Sequence, residues 1–154
     1  MPNTPEHHPS PVVSLFGDRP PGAPEVKTVL VVDDQPLFRD VARVVLEKDG
    51  GFSVVAEAEN GTSAVRMVER VRPDVVVMDV QMAGISGIEA TRQILSRYPR
   101  ASVVLMSMGG DSEYHALARA IGARGFVTKR ELNCETLRDI LEPGPESEPG
   151  AMAA

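Results

Sequence analysis

The 154-residue sequence predicts a doubly wound α/β domain, a five-stranded parallel sheet with helices on both faces. Three observations predict it. Short runs rich in β-branched residues show no polar alternation, as in strands buried on both faces. A segment with apolar residues at helical spacing follows most of them. Gly, Pro or Asn stands at most boundaries between the two kinds of segment.

Lys27–Val32 is the first such run. Pro36 suits a first helical position, and Leu37, Val41, Val44 and Val45 recur at helical spacing up to Lys48. Gly50-Gly51 stop that helix. Ser53–Glu57 is a second strand, and Asn60-Gly61 lead into a helix from about Thr62 to Val71, ended by Pro73. Val75–Met78 is a third strand of the buried type. Gly87 opens a helix to Tyr98 with Ile88, Ile94 and Leu95 as its apolar stripe. Ser102–Met106 is the fourth strand and Glu113–Ile121 the fourth helix. Gly125–Val127 is a short fifth strand, and Asn133–Leu141 the last helix.

The ends differ in composition. Seven of the 13 prolines fall in residues 1–25, so this segment reads as a disordered Pro-rich arm. Val12-Val13 and Leu15-Phe16 interrupt it, either by chance or as a short docking motif. His7-His8 in such an arm is a poor metal site. Residues 142–154 read as a disordered acidic tail, which leaves 26–141 as the folded domain. The net charge of −6 resides largely in these ends, because 26–141 holds 16 acids against 15 bases. No basic face is evident for nucleic acid, and one cysteine, Cys134, excludes an internal disulfide framework. With no apolar run of about 20 residues and no signal peptide, the chain reads as cytoplasmic, with no membrane partner.

Parallel α/β sheets place function at the carboxyl ends of their strands, where strand order reverses. Asp33-Asp34, Asp79, Ser107 and Lys129 all fall on that rim. Adjacent carboxylates need a proton or cation nearby. Oxygen ligands without His or Cys favour Mg²⁺. Such an ion, with a hydroxyl and a lysine opposite, suits a phosphoryl group, and a carboxylate can serve as its nucleophile. Each residue alone has a plainer reading as a helix cap or a solvated charge. Their joint placement carries the inference.

Val29–Arg39, Asp74–Glu89 and Ala123–Lys129 together resemble the receiver domain of two-component response regulators. The resemblance covers about Lys27 to Leu141, with family-like gaps of 45 residues from Asp34 to Asp79, 28 to Ser107 and 22 to Lys129. Asp-Asp-Gln-Pro and the non-proline after Lys129 look most like the LuxR/NarL-type branch. The resemblance implies a flavodoxin-like (βα)5 fold with strand order 2-1-3-4-5. It implies that Asp79 accepts a phosphoryl group from a sensor histidine kinase or phosphotransfer protein. Asp34 would bind Mg²⁺ directly, Asp33 mainly through water, with Asp79 and the backbone carbonyl of Gln81 completing the protein ligands. Lys129 and Ser107 would hold the phosphoryl oxygens, and Phe126 would turn inward as Ser107 moves.

Three residues depart from the family pattern: Ala83 for a common Pro, Arg130 for the proline of other branches, and Met108 for a small residue. Met108 would narrow the path to the phosphoryl group. The branch's helix-turn-helix output domain has no counterpart before Ala154, so no DNA binding by this chain is expected. The expected role is a stand-alone signalling switch rather than an enzyme, with self-dephosphorylation its one conceivable reaction. Its downstream protein target, or a homodimer partner, would meet helix 4, strand 5 and helix 5, at Tyr114, Leu117 and the exposed side of Leu132–Ile140. A receiver cut from a DNA-binding transcriptional regulator and a phosphate-independent interaction module remain as alternatives. An aspartate phosphohydrolase would need an acid two residues after Asp79, where Gln81 stands. A dinucleotide-binding protein would need Gly-x-Gly-x-x-Gly after the first strand.

Overall fold

The computed structural model describes residues 25–110 and 112–142. The arm and the tail, with His7-His8 and the Val12–Phe16 cluster, lie outside the described residues except at their inner ends. Five strands, β1 (Lys27–Val32), β2 (Phe52–Ala58), β3 (Val75–Asp79), β4 (Ser102–Ser107) and β5 (Gly125–Thr128), alternate with five helices. These are α1 (Pro36–Glu47), α2 (Gly61–Val71), α3 (Gly87–Arg97), α4 (Ser112–Ile121) and α5 (Cys134–Leu141). All strand pairs are parallel, in the order β2-β1-β3-β4-β5. The order reverses around β1, so a crevice opens beyond the carboxyl ends of β1 and β3.

The continuous apolar runs divide by parity into two cores. Leu30, Val32, Val76, Met78, Val103, Leu105 and Phe126 pack with α2, α3 and α4. Val29, Val31, Val75, Val77, Val104, Met106 and Val127 pack with α1 and α5. Three helices start on side-chain caps: Asn60 accepts from Ser63 N–H at 2.8 Å, Ser86 Oγ from Glu89 N–H at 3.1 Å, and Asn133 from Thr136 N–H at 2.8 Å. The first two caps fix the loops that border the crevice.

The face of α1 differs from the sequence expectation. Ala42 and Leu46 are fully buried, with Phe38 and Val45 packed beside them. Leu37, Val41 and Val44 instead stand exposed at 75%, 47% and 69%. The helix carries two apolar stripes, and spacing alone does not say which is inward. Arg39 and Arg43 help to set its rotation, since both pair with Glu57 of β2.

Candidate functional site

β1 runs straight into Asp33, and β3 ends on Asp79; both are buried. Asp34 is exposed beside them, and carboxylate oxygens of Asp33, Asp34 and Asp79 lie within 4.8 Å of one another. Lys129 follows β5 in a short 3-10 turn, Lys129–Glu131, and is itself buried. Its ammonium lies 2.5 Å from Asp33 Oδ2 and 2.9 Å from Asp79 Oδ2, and 4.8 Å over the ring of Phe38. Backbone amides hold the other oxygens: Gln35 N–H donates to Asp33 Oδ1 at 2.8 Å, and Gln81 N–H to Asp79 Oδ1 at 3.0 Å.

The electrostatics follow from this burial. Loss of solvent pushes the Asp79 carboxyl up from its ordinary value; Lys129 and the Gln81 amide oppose that, and the Asp33 charge adds to it. Burial works against the Lys129 ammonium, but Asp33 and Asp79 outweigh it and hold its pKa above the ordinary value. Two of the three clustered carboxylates share one ammonium. Asp33 Oδ2 is fully buried and accepts no aligned hydrogen bond beyond that ionic contact. A hard divalent cation fits this donor set, since it would neutralise the surplus negative charge through oxygen ligands.

The remaining expected residues divide. Ser107 is buried at the end of β4, but its hydroxyl donates to Gly109 O at 2.8 Å and accepts from Gly109 N–H at 3.2 Å. Phe126 is already buried, stacked on Tyr114 with centroids 5.4 Å apart and edge-on to His115 at 4.9 Å. The ring is inside while the Ser107 hydroxyl is bound to Gly109. Met108 is 77% exposed and belongs to no core. Ala83 precedes Gly84, whose φ of +85° gives the β3–α3 loop its turn. Of the expected contact face, Leu132 and Leu137 are buried, and Tyr114 and Ile140 pack against the cores.

Sequence reasoning missed two supports. A Cβ on Gly87 would meet Asp79 O at 2.0 Å, so α3 approaches the end of β3 only because this residue lacks a side chain. Arg39 Nη1 donates to Asp33 O at 2.7 Å and Nε pairs with Glu57 at 3.1 Å, which ties the acidic loop to β2. Gly87 was visible only as a helix start, and Arg39 had no local signal.

The sequence matches the profile of the response regulator receiver domain over residues 29–142. The transcriptional regulatory protein DegU of Brevibacillus brevis is 37% identical over 114 residues, 74% of this chain and 48% of that protein. The chain therefore spans about half the length of that relative. The chemotaxis protein CheY of Listeria monocytogenes is 39% identical over 101 residues, 66% of this chain and 84% of that protein. A LuxR-family two-component response regulator from Aurantimonas sp. SI85-9A1 superposes with a TM-score of 0.70 at 35% identity, covering 76% of this chain and 84% of the other. The receiver domain of the NarL regulator of Mycobacterium tuberculosis gives 0.69 at 31%, covering 77% and 96%. Receiver domains generally bind Mg²⁺ at an acidic pocket, and the rim carries such a pocket. With parallel strands in the order 2-1-3-4-5 and this match over most of its length, the chain belongs to the receiver domain family of two-component response regulators.

Proposed function

We propose that Asp79 is the phosphoryl acceptor of this receiver domain, with Asp33, Asp34 and the Gln81 carbonyl joining it around Mg²⁺. The observation that carries the reading is the Lys129 ammonium held between two buried carboxylates, with a third at the mouth. Magnesium, when bound, supplies charge neutralisation to the equatorial phosphoryl oxygens. A carboxylate oxygen of Asp79 attacks phosphorus; the bond from phosphorus to the donor's imidazole nitrogen breaks, and its electron pair stays on that nitrogen. Lys129 turns from Asp79 to the incoming phosphoryl oxygens. Asp33 holds the other side of the same ammonium. The Gln81 amide, bonded to Asp79 Oδ1, fixes the attacking carboxylate in the plane of the loop.

The donor is a sensor histidine kinase or a phosphotransfer protein. Once formed, the acyl phosphate carries about −1.5 to −2 charges where the carboxylate carried −1, and it sets three acceptor oxygens beside Lys129. Ser107 then leaves Gly109 to donate to a phosphoryl oxygen, and the β4–α4 loop follows. The α4–β5–α5 face presents this change to a protein target or to a second copy. The test is intact mass after incubation with acetyl phosphate. A gain of one phosphoryl group that needs Mg²⁺ supports the reading; no gain with the metal present, or an equal gain in EDTA, contradicts it.

A further inference from the structure

We propose that the exposed apolar stripe of α1 is the seat of this chain's own amino-terminal segment Val12–Phe16. The stripe is Leu37, Val41 and Val44, spaced i, i+4 and i+7 along one side of the helix. These are three of the five large apolar side chains exposed among the described residues, and they share one helix. A contiguous apolar face of this kind signals a contact surface.

Two placements point to the occupant. The described chain begins at the foot of α1. Lys27 N–H donates to Gly51 O at 3.0 Å, and a cleft of about 740 Å³ is lined by Glu25, Lys27, Asp49, Gly50 and Gly51, the last three just past the end of α1. The described chain therefore enters the domain near the carboxyl end of α1, between Asp49–Gly51 and the Arg138–Glu142 end of α5. The one apolar cluster upstream is Val12-Val13-Ser14-Leu15-Phe16. Eight residues separate Phe16 from Glu25, and the nine Cα–Cα steps span about 30 Å at full extension. The 12 residues of α1 are about 18 Å long. The cluster can thus reach every position of the stripe from where the chain enters. Four apolar side chains in five residues suit a partner surface of three. Any other apolar partner must arrive by diffusion, whereas this one is tethered at high effective concentration.

Leu37 lies three residues after Asp34, so the occupied stripe would end beside the acidic mouth. The segment would then share α1 with any protein approaching Asp79. This goes beyond phosphoryl acceptance, and its test is independent of it.

The test is amide exchange across the full chain, without phosphodonor, in wild type and in two variants, Val41→Ser/Val44→Ser and Leu15→Ser/Phe16→Ser. All substituted sites lie outside the cores or the described residues, so the fold is retained. In wild type, residues 12–16 should exchange roughly tenfold more slowly than residues 4–8, the ratio for a nine-to-one docked population. Both variants should abolish that difference, and Leu15→Ser/Phe16→Ser should shift the methyl resonances of Leu37, Val41 and Val44. Equal exchange in 4–8 and 12–16 of wild type overturns the proposal and leaves the stripe to an outside partner. Protection that grows with protein concentration also overturns it, assigning the stripe to a second copy.

Discussion

The rim and the foot of the sheet use the same residue types in opposite ways. At the foot, Asp49 pairs with Arg138 and Lys27 with Glu142, all substantially exposed to water. The Arg138 guanidinium and the Gly51 amide hold the Asp49 carboxyl below its ordinary range. At the rim, Asp33 and Asp79 share Lys129 out of solvent, and burial pushes Asp79 the other way. An exposed pair is screened and nearly neutral for stability. A buried set with surplus negative charge is a standing cost, retained where it serves chemistry. Both regions show ion pairs of similar length, so distance does not separate them. Burial and the direction of the carboxyl shift do.

Substitutions at the two ends should differ accordingly. The largest expected effect is that of Asp79→Asn, which should abolish phosphorylation, while Asp49→Asn at the foot leaves its rate unchanged. The same rim variant should raise Tm by a few degrees at neutral pH, because it removes one of two buried like charges. Thermal melts would check this, and a lower Tm would mean that Lys129 needs Asp79 more than Asp33 repels it. Next comes Lys129→Ala, which leaves buried carboxylates without their cation. Unfolding in EDTA should show a loss of about 3 kcal/mol, and added Mg²⁺ should recover part of it. Gly87→Ala follows, at about 1–3 kcal/mol, since a methyl group there collides with the Asp79 carbonyl. Smallest is Arg138→Ala, with a Tm close to wild type.

The pH response sharpens the same contrast. A raised Asp79 pKa means that the folded state holds its proton where the unfolded chain has released it. Asp79 then favours folding at low pH and loses that contribution as pH rises from the ordinary value of 3.8 through the raised one. Asp49 is shifted down, so its contribution is present above 3.8 and is lost as pH falls through the lowered value. Denaturant titrations of Asp79→Asn and Asp49→Asn against pH should show slopes of opposite sign relative to wild type.

Much of this was legible in the sequence because rim residues are fixed by strand ends. Asp33, Asp79 and Ser107 follow apolar runs whose buried character admits little ambiguity, and a parallel sheet carries those ends to one edge. Lys129 needed only the short β5 run before it. The rotation of α1 was not legible, because Phe38, Ala42, Val45 and Leu46 make as good a helical stripe as Leu37, Val41 and Val44. Tertiary partners, including Glu57 for Arg39 and Arg43, accompany the choice between them. The close approach at Gly87 was hidden because a glycine that opens a helix and one that admits a neighbouring carbonyl look alike in sequence. The orientation of the Ser107 hydroxyl toward Gly109 depends on a loop conformation that no residue pattern specifies.

The most direct test of the account is to locate the phosphoryl group. Protein phosphorylated by acetyl phosphate in Mg²⁺ is treated with borohydride, which reduces the acyl phosphate, and the modified peptide is sequenced by mass spectrometry. Modification is expected at Asp79 alone, and absent from Asp79→Asn. Modification at Asp33 or Asp34, or an unchanged yield from Asp79→Asn, would contradict it.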